Sequence, residues 1–524
     1  MSKSTELSTA AKPLTILHTS DWHLGRRLYG QLRYEEFEAF LAWLTKTIQQ
    51  YQVDILIVAG DIFDTMTPSN RAQALYYEFL SVISSLHCNH VVIVAGNHDS
   101  PTFLDAPANI LKYLNVHVIG TACEDIADEV LVLNSKTGEP QCIIAAVPYL
   151  RDRDVRSTQA GESGADKDAN LLAGIRQHYA QVADIAKDKQ AELSEQSQRY
   201  IPIIATGHLF AAGGTTTADD GVRELYVGSL GKISADMFDE CFDYVALGHL
   251  HVPQKVGGRE HIRYSGSPIA MGFGEAKQTK QVLLVQFGEN LEPYNFENSL
   301  TAPVSSDSQI SVEQSTQPDS TAPAANTEQA QDDLFYGGLF PDMPEPESEQ
   351  PPKSKPQPKI NLALSSDSTD HLNAQQYSDL PAKTLHINDS MQIVAVTVPC
   401  FQKLLPISGD LDHILQSLKQ LPRSKPIWLE VAYTGNEIVS DLREQIHAEV
   451  ANTPFEVLKI KNHQARDKVL KSQNTHETLQ DLDEMQVFER CLIAHDVAES
   501  QHPDLRKAYA QIVHQIYHDD HQAE

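Results

Sequence analysis

The chain is predicted to be an α/β protein: two mixed β-sheets flanked by helices, then a small α/β capping unit and a C-terminal helical hairpin. Two observations carry most of this. The runs DILIVA (54–59), HVVIVA (90–95), IPIIAT (201–206) and DYVAL (243–247) are short and nearly unbroken in apolar character, the pattern of strands buried on both faces, with helical sequence between several of them. Each run is also followed at once by a polar cluster, and in sheets with helical crossovers the ligand-binding loops collect at the carboxyl ends of the strands.

In chain order, LTILHT (14–19) is a first strand and residues 35–50 a helix, and strand-rich sequence resumes at 261–265 and 281–287. This sets a first domain over 14–298. Residues 299–385 are rich in Pro, Ser and Gln with little periodicity, which predicts a disordered insertion or linker. Its apolar island DDLFYGGLF (332–340) is either an accidental sticky patch or a short docking motif. A capping domain follows over 386–465, with strands at 391–398, 426–433 and 455–460 and helices at 411–421 and 437–451.

Residues 466–524 hold two amphipathic helices. Leu479, Leu482, Met485, Phe488 and Leu492 recur at helical spacing, as do Leu505, Tyr509, Ile512 and Ile516. The hairpin either packs on its own chain or offers Phe488, Leu492, Ile512 and Ile516 to a partner.

At 524 residues, two or three domains are expected. No stretch of about 20 apolar residues is present to span a membrane, and residues 1–13 lack the apolar core of a signal peptide. The six cysteines are scattered without a CxxC pair. A reduced, cytoplasmic protein is the expectation. The net charge of −30 disfavours a polyanionic partner, yet residues 301–352 contain no Lys or Arg and hold part of that excess. Contact with nucleic acid would require a local basic patch.

The polar clusters are Asp21-Trp22-His23, Gly60-Asp61-Ile62-Phe63-Asp64, Gly96-Asn97-His98-Asp99, Gly207-His208 and Gly248-His249-Leu250-His251. They supply carboxylate, imidazole and amide oxygen donors, which suit one or two divalent ions of hard to borderline character better than a thiolate-rich structural zinc site. Two such ions suit phosphate-ester hydrolysis. In that chemistry Asp61 can bridge, and His98 can donate a proton to the leaving oxygen with Asp99 holding its ring. Acyl transfer is disfavoured because the first domain has no GxSxG nucleophile elbow.

These motifs resemble the calcineurin-like metallophosphoesterases. HTSDWHLG (18–25), VAGDIFD (58–64), AGNHDS (95–100) and YSGSP (264–268) are most similar to the bacterial SbcD family of nuclease subunits. The resemblance implies one metal on Asp21, His23, Asp61 and His251 and a second on Asp61, Asn97, His208 and His249, with manganese the usual ion and His98 the catalytic histidine. Archaeal and eukaryotic relatives carry His where this chain has Asp64, so the strand-guiding role proposed for that His does not transfer.

The resemblance further implies a coiled-coil ATPase partner, SbcC, in an assembly of two copies of each subunit. It implies double-stranded DNA ends and hairpins as substrates, in DNA repair, recombination and replication. The chain has no Walker A sequence, so ATP chemistry must come from the partner. Arg26, Arg27, Arg151, Arg153 and Arg156 are candidate phosphate contacts, or else solvated arginines paired with Asp152 and Asp154. A phosphodiesterase or phosphomonoesterase for small nucleotides is the competing function, and a non-catalytic scaffold a third.

Overall fold

The computed structural model describes residues 12–156, 162–211, 214–215, 234–289, 291, 382–437, 439 and 441–462, with scattered residues between 488 and 509. Residues 299–381 of the expected insertion and most of the expected terminal hairpin, Ile512 and Ile516 included, lie outside the described residues, whereas 382–385, also assigned to the insertion, belong to the strand Ala382–Ile387.

Seven strands form the first sheet, in the spatial order Ala382–Ile387, Met391–Thr397, Gln281–Phe287, Leu14–Thr19, Ile55–Ala59, His90–Val94, Val116–Ile119. From Leu14–Thr19 to Val116–Ile119 neighbouring strands run parallel, and on the other side they run antiparallel. The second sheet has six strands, ordered Gln254–Val256, Arg259–Tyr264, Tyr244–Gly248, Ile203–His208, Pro140–Ala145, Val130–Asn134, with the middle four parallel.

Alternation along each strand explains the layering. Ile16, Ile55, Ile57, Val92 and Val94 of the first sheet share one buried cluster with Ile144, Ile204, Tyr244 and Ala246 of the second. The intervening residues Ile143, Ile203, Ala205, Val245 and Leu247 face outward, where Leu171, Ile175, Tyr179 and Val182 of the helix Gly164–Ser197 cover them. Helices Tyr34–Gln50 and Asn70–Ser84 each bury an apolar stripe, and Trp22 meets Phe40 and Phe79 edge-on at 5.9 and 5.4 Å. No helix among the described residues is long and apolar enough to cross a membrane.

Two expectations are corrected. The 391–398 strand, assigned to the capping unit, is Met391–Thr397 and pairs with Gln281–Phe287 from Gln281↔Thr397 to Phe287↔Met391. Its apolar residues fill the first sheet, so that sheet is assembled from segments on both sides of residues 292–381. In its place the smaller unit uses Lys403–Gly409, parallel to Ile427–Tyr433, which is parallel in turn to Phe455–Asn462. Pro406 disguised this strand. It is tolerated because Lys403–Gly409 lies at the sheet edge, where one face of the backbone has no ladder to satisfy. Helices Leu411–Gln420 and Leu442–Val450 bury Ile414, Leu418 and Ile446 with Leu429 and Val431.

Candidate metal centre

The polar clusters meet at one end of the sandwich. Asp21 and His23 follow Leu14–Thr19, Asp61 follows Ile55–Ala59, and Asn97 and His98 follow His90–Val94; His208 ends Ile203–His208, and His249 and His251 follow Tyr244–Gly248. The first sheet thus contributes five of these side chains and the second three. The loops are laced together by main-chain bonds: Asp21 N to Gly60 O at 3.0 Å, His23 N to Asp61 O at 2.9 Å and Leu24 N to Ile62 O at 2.9 Å. Asp21, His23, Asp61 and His249 all have left-handed backbone, at φ 55°, 48°, 51° and 101°. Such conformations cost of order 1–3 kcal/mol each and cluster at functional sites.

Beneath the loops His18 ties the two sheets together. Its Nδ1 accepts from Tyr244 Oη at 2.9 Å and its Nε2 donates to Leu247 O at 3.2 Å. Burial pushes this imidazole down to about 3, so it is neutral, as those two bonds require.

All eight side chains are buried, and their donor atoms converge. In three groups, Asp21 with His23 and His251, His23 with Asp61 and His98, and Asp61 with His208 and His249, the ligand atoms lie within 4.8 Å of one another. Asp61 Oδ2 stands 3.6 Å from His23 Nε2 and 3.3 Å from His208 Nε2, between the other members of two groups. Asn97 Oδ1 is 3.0 Å from both His208 Nε2 and His249 Nδ1. Asp21 is held by Ser20 Oγ at 2.6 Å and by the His249 amide at 2.9 Å.

The hydrogen inventory tests whether a cation fits. His208 Nδ1 must donate to Ala59 O at 2.9 Å, because a carbonyl only accepts. Neutral His208 then turns its Nε2 lone pair toward the Asn97 and Asp61 oxygens, all acceptors. His251 Nδ1 donates to Glu275 Oε1 at 2.9 Å, which turns its Nε2 lone pair toward His23 Nε2, 3.2 Å away, and the contrast with His208 is that a hydrogen on His23 Nε2 can fill that gap. Acceptors packed against acceptors are stable only with a proton or a cation between them. A proton partly serves at His208: burial opposes its charge, but Asp61 outweighs burial and raises it to about 9. Asp61 is itself buried, which alone would raise it, yet His208 and His23 hold it well below the usual carboxylate range. Burial, reinforced by His208, pushes His249 down to about 3, leaving a neutral donor. The residues present therefore fit divalent metal ions.

His98 Nδ1 donates to the main-chain oxygen of Asp64 at 2.8 Å, which leaves Nε2 for other work. Its expected partner, Asp99, does something else. The Asp99 carboxylate accepts from the amides of Gly96 at 2.8 Å, Phe63 at 2.9 Å and Ile62 at 3.1 Å. With its oxygens taken by three amides, Asp99 binds two motif loops together, and the His98 ring is held by Asp64 O instead. Burial, with Asp61 adding to it, raises Asp99 to about 7.

Of the candidate phosphate contacts, Arg26 pairs with Asp64 at 3.0 Å and keeps a buried Nε without a hydrogen-bond partner. Arg27 is exposed. Arg151 Nη2 reaches Asp99 O at 3.5 Å, so this side chain lies against the same loop. Arg153 is exposed beside Asp154 at 3.6 Å, and Arg156 is taken up by Asp152 and Glu162. In the terminal segment Phe488 stacks on Tyr509 at 4.0 Å, and Leu492 is 5% exposed. Leu492 is thus covered within the chain. The motif reading gave no role to Glu275, which bonds His251, or to Ser20, which bonds Asp21 and Ser265; the two serines lie within HTSDWHLG and YSGSP, but no spacing or periodicity marks Glu275.

A sheet sandwich with a buried carboxylate, imidazole and amide set at its strand ends is the architecture of a calcineurin-like metallophosphoesterase. Residues 14–253 match the family described as Calcineurin-like phosphoesterase, and residues 400–496 match the Type 5 capsule protein repressor C-terminal domain. Among curated relatives, the SbcD component of the SbcCD nuclease of Escherichia coli is 31% identical over 511 residues, covering 96% of this chain and 98% of that protein. The proteins of the same name from Rhodobacter capsulatus and Bacillus subtilis are each 35% identical, over 290 and 276 residues, covering 53% and 52% of this chain and 68% and 66% of theirs. The chain belongs to the SbcD family of nuclease subunits.

Proposed function

We propose that the chain hydrolyses DNA phosphodiesters with two divalent ions, Mn²⁺ foremost, as the nuclease subunit of an assembly with the coiled-coil ATPase SbcC. In this reading it degrades double-stranded ends 3′→5′ and opens hairpins endonucleolytically, in a complex with two copies of each subunit. The observation that carries it is the placement of Asp61 between His23 and His208, with Asn97, His249, His251 and Asp21 completing a buried donor set.

Asp21, His23, Asp61 and His251 would hold one ion, and Asp61, Asn97, His208 and His249 the other. When bound, such ions supply Lewis acidity toward the phosphoryl oxygens. Asp61 offsets the charge of both positions. His98, fixed through Nδ1 by Asp64 O, presents Nε2 to the leaving oxygen and, as the imidazolium with hydrogen on both nitrogens, can give it the Nε2 proton. Arg26, Arg27, Arg151 and Arg153 would meet backbone phosphates and position the strand without reading its sequence. The domains in this reading are the sandwich with its returning strands, the insertion that ends before Ala382, the capping unit and the partner-binding tail.

The test is a nuclease assay on blunt duplex and hairpin DNA, with Mn²⁺, with and without the co-purified ATPase and ATP. Metal-dependent cleavage of both substrates is expected. Hydrolysis of mononucleotide model esters with none of duplex ends would instead favour a small-nucleotide phosphodiesterase.

A further inference from the structure

Glu275 lies outside every motif, yet its side chain is fully buried against the site. It ends the single helical turn Phe273–Glu275, and Phe273 anchors that turn from the other side in a buried cluster with Leu28 and Leu404. Glu275 Oε1 accepts His251 Nδ1–H at 2.9 Å. Its Oε2 accepts Met271 N at 3.0 Å and Ser267 Oγ at 3.2 Å and pairs with the Lys280 ammonium. Lys280 is also buried and donates to His251 O at 3.2 Å and to Ser267 Oγ at 2.9 Å. The carboxylate is thus an acceptor toward every neighbour, and Lys280 balances its charge inside the protein.

We propose that Glu275 is a positioning residue of the metal centre, fixing the His251 ring with hydrogen on Nδ1 so that the Nε2 lone pair faces Asp21 and His23. The inference rests on the reading of Asp21, His23 and His251 as a metal-binding group. Without the carboxylate the imidazole is free to rotate or to carry its hydrogen on Nε2, and either change removes a donor. Partners of this kind behind a ligating histidine typically contribute 10–100-fold in metal affinity.

Three proteins separate positioning from general stability: Glu275→Ala, Glu275→Gln, and Glu129→Gln as a control. Glu129 is equally buried and pairs with His178 at 2.8 Å, away from the metal ligands. Mn²⁺ binding is followed by titration with electron paramagnetic resonance, the His251 tautomer by ¹⁵N NMR and folding by thermal denaturation.

Glu275→Ala should weaken one class of Mn²⁺ site by on the order of 10–100-fold. Glu275→Gln, which keeps an acceptor oxygen for Nδ1–H, should recover part of that loss, and it carries the comparison if the alanine variant does not fold. Glu129→Gln should lower the melting temperature and leave Mn²⁺ affinity unchanged. Wild-type affinity in a folded Glu275→Ala, or equal losses in the Glu275 and Glu129 variants, would overturn the positioning role alone. A wild-type chain without stoichiometric Mn²⁺ would overturn the metal reading and the role of Glu275 with it.

Discussion

The main-chain oxygen of Asp64 accepts the Nδ1 hydrogen of His98 at 2.8 Å. A carbonyl only accepts, so it holds the hydrogen of His98 on Nδ1 without adding charge beside the candidate metal ligands. The bond uses the main chain of Asp64 and leaves its carboxylate to Arg26, 3.0 Å away.

His98→Gln should therefore separate chemistry from binding. Cleavage should slow by roughly 10²–10⁴, the usual contribution of a general acid, with Mn²⁺ and DNA affinity retained. Single-turnover rates beside metal and DNA titrations check this. Loss of metal in the variant would instead make His98 a ligand.

Asp61 stands between both groups of donors, so Asp61→Asn removes the charge shared by two cation positions. Metal content should fall below two ions per chain, and cleavage should collapse. Elemental analysis with a nuclease assay decides it, and two retained ions with near-normal rates would refute the bridging role.

How much of this was legible in the sequence depended on locality. Ile55–Ala59 is buried at every position, as its apolar run announced, and Asp61 follows it. The strand Met391–Thr397 was also visible, but its partner Gln281–Phe287 lies far away in sequence, and no local pattern names a partner. Lys403–Gly409 was hidden by Pro406. Asp99 and His98 are adjacent in sequence, yet their side chains bond to different partners, because the turn geometry that separates them is not written in residue types. Glu275 carries no signal at all, since only the folded chain brings it to His251.

The segment 305–380 is expected to be dispensable for folding. The strands that precede and follow it in the chain, Gln281–Phe287 and Ala382–Ile387, both belong to the first sheet, and its polar composition provides little apolar surface to bury. Deleting it should leave melting temperature and Mn²⁺-dependent cleavage near those of the full chain. A large fall in either would make the segment part of the fold.

In the terminal segment Phe488 stacks on Tyr509 and Glu489 pairs with Arg506, joining two stretches of chain. If the apolar stripe continues into a partner, polar substitution of Phe488 and Ile512 together should weaken binding of the ATPase by orders of magnitude, at about 1.5–3 kcal/mol for each buried side chain. Cleavage by the isolated chain should survive. A lower melting temperature with unchanged pull-down affinity would assign both residues to packing within the chain.

The return of Met391–Thr397 to the first sheet bears on how this protein can be divided. A fragment ending at residue 298 would keep every candidate metal ligand but strip the neighbour from Gln281–Phe287, a strand whose Val282, Leu283, Leu284 and Val285 are all buried in the intact chain. The cut would leave a row of unpaired amides and carbonyls beside an uncovered apolar face, the combination that recruits strands from other molecules. Such a fragment should self-associate for reasons unrelated to its chemistry, and its loss of activity would say nothing about the metal ligands.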